Sequence, residues 1–196
     1  MISPSIRVPT LATILWNDDS WIRFITLAVA GAGLLTLSAK VQIPFVPVPM
    51  TMQTFVVLVL GMSYGPTLGG STVLLYLVLG SAGLPVFAGT PEKGIGLAYM
   101  IGPTGGYLIG FVLAAMAAGY LAERGWDRKM VPTFLAMLIG NILIYVPGLL
   151  WLGNVVGWDK PVLEWGLTPF IFGDLAKIVL AMLVIPAAWK AIGKRH

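Results

Sequence analysis

Polar and apolar residues are not mixed along this chain. Six apolar stretches follow one another, and the charged residues collect in the gaps between them. A helix that crosses a bilayer needs about 20 apolar residues. The pattern predicts helices over 22–39, 51–63, 67–82, 103–122, 131–153 and 168–192. Arg23 and Lys40 bound the first, Gly65-Pro66 turns the chain between the second and third, and Pro103 suits the first turn of the fourth. The expected fold class is an all-α integral membrane protein, one membrane domain over 1–196 with six transmembrane helices.

One apolar gap cannot be helical throughout, and another is a long loop rich in glycine and proline. Val41-Gln42-Ile43-Pro44-Phe45-Val46-Pro47-Val48-Pro49 carries three prolines, each of which removes a backbone donor and fixes φ. Residues 83–101 contain Gly83, Pro85, Gly89, Pro91, Gly94 and Gly96. Irregular backbone at membrane depth is tolerated only where it is buried in protein or lines a wet cavity. These extracellular loops 1 and 3 are therefore candidate site elements, although either would also serve as an ordinary surface connection.

Composition strengthens the membrane reading. Hydrophobic residues make up 58% and charged residues 10%, with a mean hydropathy of +0.90. Soluble domains carry about 25% charged residues. Residues 1–20 do not resemble a cleaved signal peptide, because the apolar run 11–16 is short and Asn17-Asp18-Asp19 follows it. They are expected to form a cytoplasmic arm that meets the membrane at Trp16 and Trp21.

Basic residues set the orientation. Arg7, Arg23, Arg124, Arg128, Lys129, Lys190, Lys194 and Arg195 fall on one side, and Lys40, Lys93 and Lys160 on the other. This asymmetry predicts both termini in the cytoplasm and places the two irregular loops outside.

The inventory excludes several chemistries. There is no cysteine, and the only histidine is His196, so no thiolate or intramembrane imidazole site exists. No G-x-x-x-x-G-K-[ST] sequence is present for nucleotide phosphates. No basic face suits nucleic acid. No metal site, cofactor or enzyme activity is expected; binding and translocation remain.

Asp174 and Lys177 stand out inside Phe170-Ile171-Phe172-Gly173-Asp174-Leu175-Ala176-Lys177-Ile178-Val179. Three residues apart on a helix, they share a face. An ionisable group in the bilayer costs at least about 2.5–3.5 kcal/mol, so such groups turn inward and mark function. A structural ion pair is the alternative reading; the level of the pair, near the irregular outer loops, favours a ligand. Gln53, Asn141 and Tyr145 are further polar groups within helices, none specific alone. Small residues recur at helical spacing in Ala28/Ala32, Gly106/Gly110, Ala114/Ala118 and Ala136/Gly140. Such stripes let helices approach closely. Packing inside the bundle accounts for them, and for Ala28 and Ala32 docking of a partner helix stays open.

At this point the sequence resembles a known family. Gln42-Ile43-Pro44-Phe45-Val46-Pro47-Val48-Pro49-Met50-Thr51-Met52-Gln53 is similar to the proline-rich first loop of the biotin-specific substrate-binding (S) components of energy-coupling factor (ECF) transporters. Gly83-Leu84-Pro85-Val86-Phe87-Ala88-Gly89 resembles the third loop. Gly102-Pro103-Thr104-Gly105-Gly106-Tyr107 resembles the start of the fourth helix, and Phe172-Gly173-Asp174-Leu175-Ala176-Lys177 the last-helix signature. The resemblance implies a six-helix fold in the cytoplasmic (inner) membrane, with biotin held near the outer surface under loops 1 and 3. It implies that Asp174 and Lys177 bind the ureido ring. It also implies that Ala28 and Ala32 dock a membrane-embedded coupling subunit seated on two ATPase subunits. In this family loop 3 often carries Asn-Gly-Gly; here Thr90-Pro91-Glu92-Lys93-Gly94 stands, so Thr90 or Lys93 is expected to supply the polar contact. Tyr107, where some relatives have arginine, and Gln53 complete the expected binding residues. A stand-alone or homo-oligomeric biotin carrier, and an S component for another vitamin, stay open on sequence alone.

Overall fold

The computed structural model describes residues 8–193. Arg7, Lys194, Arg195 and His196 lie outside the described residues. The chain is mostly helical. A short helix α1 (Leu11–Leu15) precedes α2 (Trp21–Lys40), which leads into a two-residue ribbon, β1 (Gln42–Ile43) with β2 (Met50–Thr51). Helix α3 (Gln53–Ser81) follows, then α4 (Gly96–Met100), α5 (Gly105–Ala122), α6 (Met130–Val156) and α7 (Val162–Gly166). A 3-10 turn (Thr168–Phe170) then leads into α8 (Ile171–Gly193).

Among the described residues, five segments are long and apolar enough to cross a membrane: α2, α3, α5, α6 and Val162–Ile192. One of the five is folded on itself. At Gly65 the backbone leaves helical geometry at φ 82°, ψ 175°, a left-handed φ that suits glycine, and Pro66 starts the second arm. A Cβ placed on Gly69 would lie 3.0 Å from the Cα of Gly61, and the Gln53 amide donates to the Tyr76 hydroxyl at 2.8 Å. In a straight helix residues 23 apart would be about 34 Å apart. The 29-residue α3 is therefore a hairpin, and the expected helices over 51–63 and 67–82 are its two arms.

Starts and stops follow local chemistry. Ser20 caps α2, its hydroxyl accepting from the Arg23 amide at 3.2 Å. Gly157, at φ 98°, ends α6. Pro147 and Pro186 sit inside α6 and α8 without ending them. The proline-rich stretch is less irregular than expected. It forms an antiparallel ribbon pairing Gln42 with Thr51 and Ile43 with Met50, with the prolines at its tip.

Small residues draw the helices together, as their spacing predicted. A Cβ on Gly61 would meet the Ala115 carbonyl oxygen at 2.5 Å, and one on Gly110 would meet the Ile144 Cα at 2.7 Å. Ala114, Ala118 and Ala136 are fully buried. The two residues expected on a docking face, Ala28 and Ala32, are 5% and 2% exposed, and a Cβ on Gly31 between them would meet Thr72 and Tyr64 of α3. Small side chains there let α2 approach its own neighbour.

One end of the bundle is closed by a clasp. The N-terminal arm is more than a surface anchor. Leu11 and Ala12 are buried, the Val8 amide donates to the Glu123 carbonyl at 2.9 Å, and Arg128 donates to the Pro9 carbonyl at 3.1 Å. Trp189, near the end of α8, donates its indole N–H to Asp127 at 2.6 Å, and the Arg128 guanidinium stacks 3.7 Å from the Trp189 ring centroid. Burial pushes the Asp127 carboxyl above its ordinary pKa, opposed by that indole bond and by Arg128. The arm, the Gly65 turn, the 123–129 loop and the end of α8 thus share one side, as the distribution of basic residues required.

Glycine packing generates a contrast in stability. Gly61→Ala forces a methyl into backbone and should destabilise by about 1–3 kcal/mol. Gly33→Ala, with nothing within 4 Å, should be neutral or stabilising by up to about 1 kcal/mol through helix propensity. Thermal unfolding of both variants in the same detergent checks the pair; equal midpoints would contradict the close α3–α5 contact.

Candidate functional site

A cavity opens at the end opposite the clasp. Seven parts of the chain line it. The ribbon and its tip contribute Val48 to Thr51, and the start of α3 contributes Gln53 and Thr54. Ala88 comes from the third loop and Tyr99 from α4. The remaining wall comes from Thr104, Tyr107, Leu108 and Phe111 at the start of α5, Ile144 and Tyr145 on α6, and Phe170, Asp174 and Lys177 at the start of α8.

Asp174 and Lys177 form its polar wall. Their side chains are 8% and 12% exposed, and the ammonium lies 2.9 Å from Asp174 Oδ1. The i,i+3 spacing on α8 produces this pairing, as expected. The rest of the network comes from distant elements. Lys177 Nζ also donates to the Thr51 carbonyl at 2.8 Å and to Thr54 Oγ1 at 3.0 Å. The Thr54 hydroxyl donates to Asp174 Oδ1 at 3.2 Å, and the Tyr145 hydroxyl donates to Asp174 Oδ2. An ammonium has three donors, and all three are engaged. A carboxylate has about four acceptor positions. Two protein donors and the ammonium leave one for an incoming N–H.

Aromatic rings make the other walls. Tyr107 and Tyr145 meet edge to face at 6.0 Å, Tyr145 and Phe170 lie 6.4 Å apart, and Phe45 from the ribbon tip stands edge-on to Phe170 at 6.1 Å. Such faces suit an apolar ring or chain. Burial raises the pKa of the Tyr99 phenol, against a smaller lowering from its hydrogen bond to Thr104. Tyr99 is neutral at physiological pH.

Of the residues singled out from the sequence, Asp174, Lys177, Gln53 and Tyr107 line this one cavity. Gln53 is buried and its amide is occupied by Tyr76. Tyr107 presents its ring, while its hydroxyl donates to the Gly166 carbonyl at 2.9 Å and ties α5 to α7. Thr90 and Lys93 are not among the lining residues. Thr90 is buried beneath Lys40, which donates to its hydroxyl and carbonyl, and Lys93 is exposed. Thr54 went unnoticed, because a threonine in the first turn of a helix carries no signal until Lys177 is placed beside it. Tyr145 was visible only as one polar group among several; its position three turns before the end of α6 gives no hint of Asp174.

Similarities to known proteins agree with this geometry. Residues 10–194 match the BioY family. The chain is 37% identical over 160 residues to a probable biotin transporter BioY of Pyrococcus horikoshii, covering 82% of this chain and 92% of that one. It is 38% identical over 153 residues to the biotin transporter BioY of Thermotoga maritima, covering 78% and 87%. The crystal structure of the S-component for biotin from an ECF-type ABC transporter superposes with a TM-score of 0.69 at 24% identity, over 86% of this chain and 92% of that one. At that identity the likeness concerns the fold. With the family matched over nearly its whole length, this chain belongs to the BioY family.

Proposed function

We propose that this chain captures biotin and imports it across the membrane as the S component of an ECF-type transporter. The observation that carries the reading is the buried Asp174–Lys177 pair on the cavity wall. A cyclic urea presents an N–H donor beside a carbonyl acceptor. Asp174 has the acceptor position left to take the N–H, and the ammonium of Lys177 suits the oxygen. Since the three Lys177 donors are already engaged, the ureido oxygen has to displace one of them, exchanging a neutral protein acceptor for the ligand. The aromatic walls suit the sulfur-containing ring and the aliphatic tail. Relatives named as biotin transporters support the same ligand.

The chain is a multi-pass membrane protein. We further infer six crossings, counting the two arms of α3 separately, with both termini in the cytoplasm and the cavity mouth outside. The support is the basic asymmetry together with the clasp that unites the N-terminal arm, the Gly65 turn and the 123–129 loop on one side. Energy for uptake would come from a membrane-embedded coupling subunit and ATPases.

Two measurements follow. Isothermal titration should give nanomolar biotin affinity, about −12 kcal/mol. Asp174→Asn and Lys177→Met should each weaken it at least about tenfold, as expected for loss of a hydrogen bond to a charged group. Tighter binding of riboflavin or thiamine, or undiminished binding by both variants, would sink the assignment. The natural chain has no cysteine, so single-cysteine labelling reads topology directly. Lys93→Cys should react with an impermeant maleimide in intact cells, and Arg124→Cys only after permeabilisation; the reverse pattern would invert the orientation.

A further inference from the structure

Lys40 is the last residue of α2, yet its side chain is bonded to a loop 47 to 50 residues further along the chain. Its ammonium donates to the Phe87 carbonyl at 3.0 Å, the Thr90 carbonyl at 3.2 Å and Thr90 Oγ1 at 3.0 Å. All three donors go to that one loop. The Thr90 hydroxyl in turn donates to the Phe87 carbonyl at 2.7 Å. Among the described residues no carboxylate pairs with Lys40, which is exposed, so these oxygens and solvent share the compensation of its charge.

On its other side Lys40 leads into the first loop. The Val41 carbonyl accepts from the Met52 amide at 3.1 Å, and the β1–β2 ribbon begins at Gln42. Both loops form the cavity wall, the first through Val48 to Thr51 and the third through Ala88. One ammonium therefore joins the two halves of the cavity mouth.

The third loop is held unevenly. Its root is fixed: Phe87 is fully buried, stacked on Tyr99 at 4.9 Å and edge-on to Tyr76 at 5.4 Å, and the Tyr76 hydroxyl donates to the Val86 carbonyl at 3.1 Å. Beyond the root, Pro91, Glu92 and Lys93 are exposed between Gly89 and Gly94, both at positive φ. Lys40 is the side chain that holds this outer part to α2.

We propose that Lys40 is a positioning residue, a latch that makes the first and third loops a single lid over the cavity and sets how fast ligand enters and leaves. The ligand named in the test rests on the function proposed above; the latch does not. Ligand binding shifts a conformational equilibrium only through contacts that differ between the two states. Lys40 bonds to neither Asp174 nor Lys177, and its bonds contribute equally whether the cavity is full or empty. Losing them should speed entry and exit alike and leave affinity unchanged. A residue that touched the ligand would instead change affinity.

The experiment compares the full chain with its Lys40→Met, Lys40→Arg and Thr90→Val variants in nanodiscs. Without ligand, amide exchange in peptides covering 42–51 and 84–95 should be at least about tenfold faster in Lys40→Met, given the strength of hydrogen bonds to charged groups. Lys40→Arg should restore slow exchange, and Thr90→Val, losing one neutral acceptor, should show a smaller acceleration in the same peptides. With biotin, stopped-flow association and dissociation rates should both rise about tenfold in Lys40→Met, with Kd changed by less than about threefold. Unchanged exchange, or acceleration confined to 84–95, overturns the coupled lid. A weakened Kd with unchanged association makes Lys40 a ligand contact and also overturns it. Should Lys40→Met not fold, the Thr90→Val comparison decides on the same readouts. Should the wild type not bind biotin, the exchange data still decide the latch, and the cavity reading fails separately.

Discussion

A carboxylate and an ammonium one turn apart on α8 are buried in the cavity wall, largely out of reach of water. Buried charges need hydrogen-bond partners, and the partners of Asp174 and Lys177 come from distant parts of the chain. The ribbon delivers the Thr51 carbonyl, α3 opens with Thr54, and α6 brings Tyr145 across. Satisfying two charges thus fixes where three elements meet, and the space left between them is the cavity. Removing one partner of such a buried pair leaves a charge uncompensated, at a cost of about 3–5 kcal/mol. The pair proposed to recognise a ligand therefore also organises the cavity end of the bundle.

The inner half is organised by close approach. Gly61 against Ala115 and Gly119 against the Gly65 turn bring backbones together, and Asp127 and Arg128 tie α8 and the N-terminal arm to the same end. A packed base with irregular loops at the other end is a sensible division for a capture protein. The site residues stand on helix ends held by that base, beneath the irregular loops. Helix α8 spans both halves, from Asp174 in the cavity to Trp189 in the clasp.

Much of this was legible in the sequence, for reasons that can be named. Hydropathy located the helices because lipid imposes length and apolarity on each one. Asp174 and Lys177 were visible because charge in an apolar helix is costly and three-residue spacing fixes their common face. The Gly65-Pro66 turn was visible because glycine and proline punctuate helices. What the sequence concealed depends on long-range placement. The contacts of Thr54 and Tyr145 with Asp174 join residues 120 and 29 apart, and nothing local announces them. The two-residue strands fall below any periodicity. Ala28 and Ala32 show why a stripe of small residues is ambiguous: the same spacing serves packing within a bundle and docking between proteins, and only burial distinguishes them. Thr90 and Lys93 stand where the family's third loop often carries a polar Asn-Gly-Gly run, but Lys40 engages one and the other is exposed.

The central claim is that the cavity bearing Asp174 and Lys177 captures biotin. It is tested most directly by mass spectrometry of the small molecule retained when the chain is purified from its expression host with no ligand added. The account predicts biotin in the wild type and little in Asp174→Asn purified in parallel. A different retained vitamin, or biotin held equally by the variant, would contradict it.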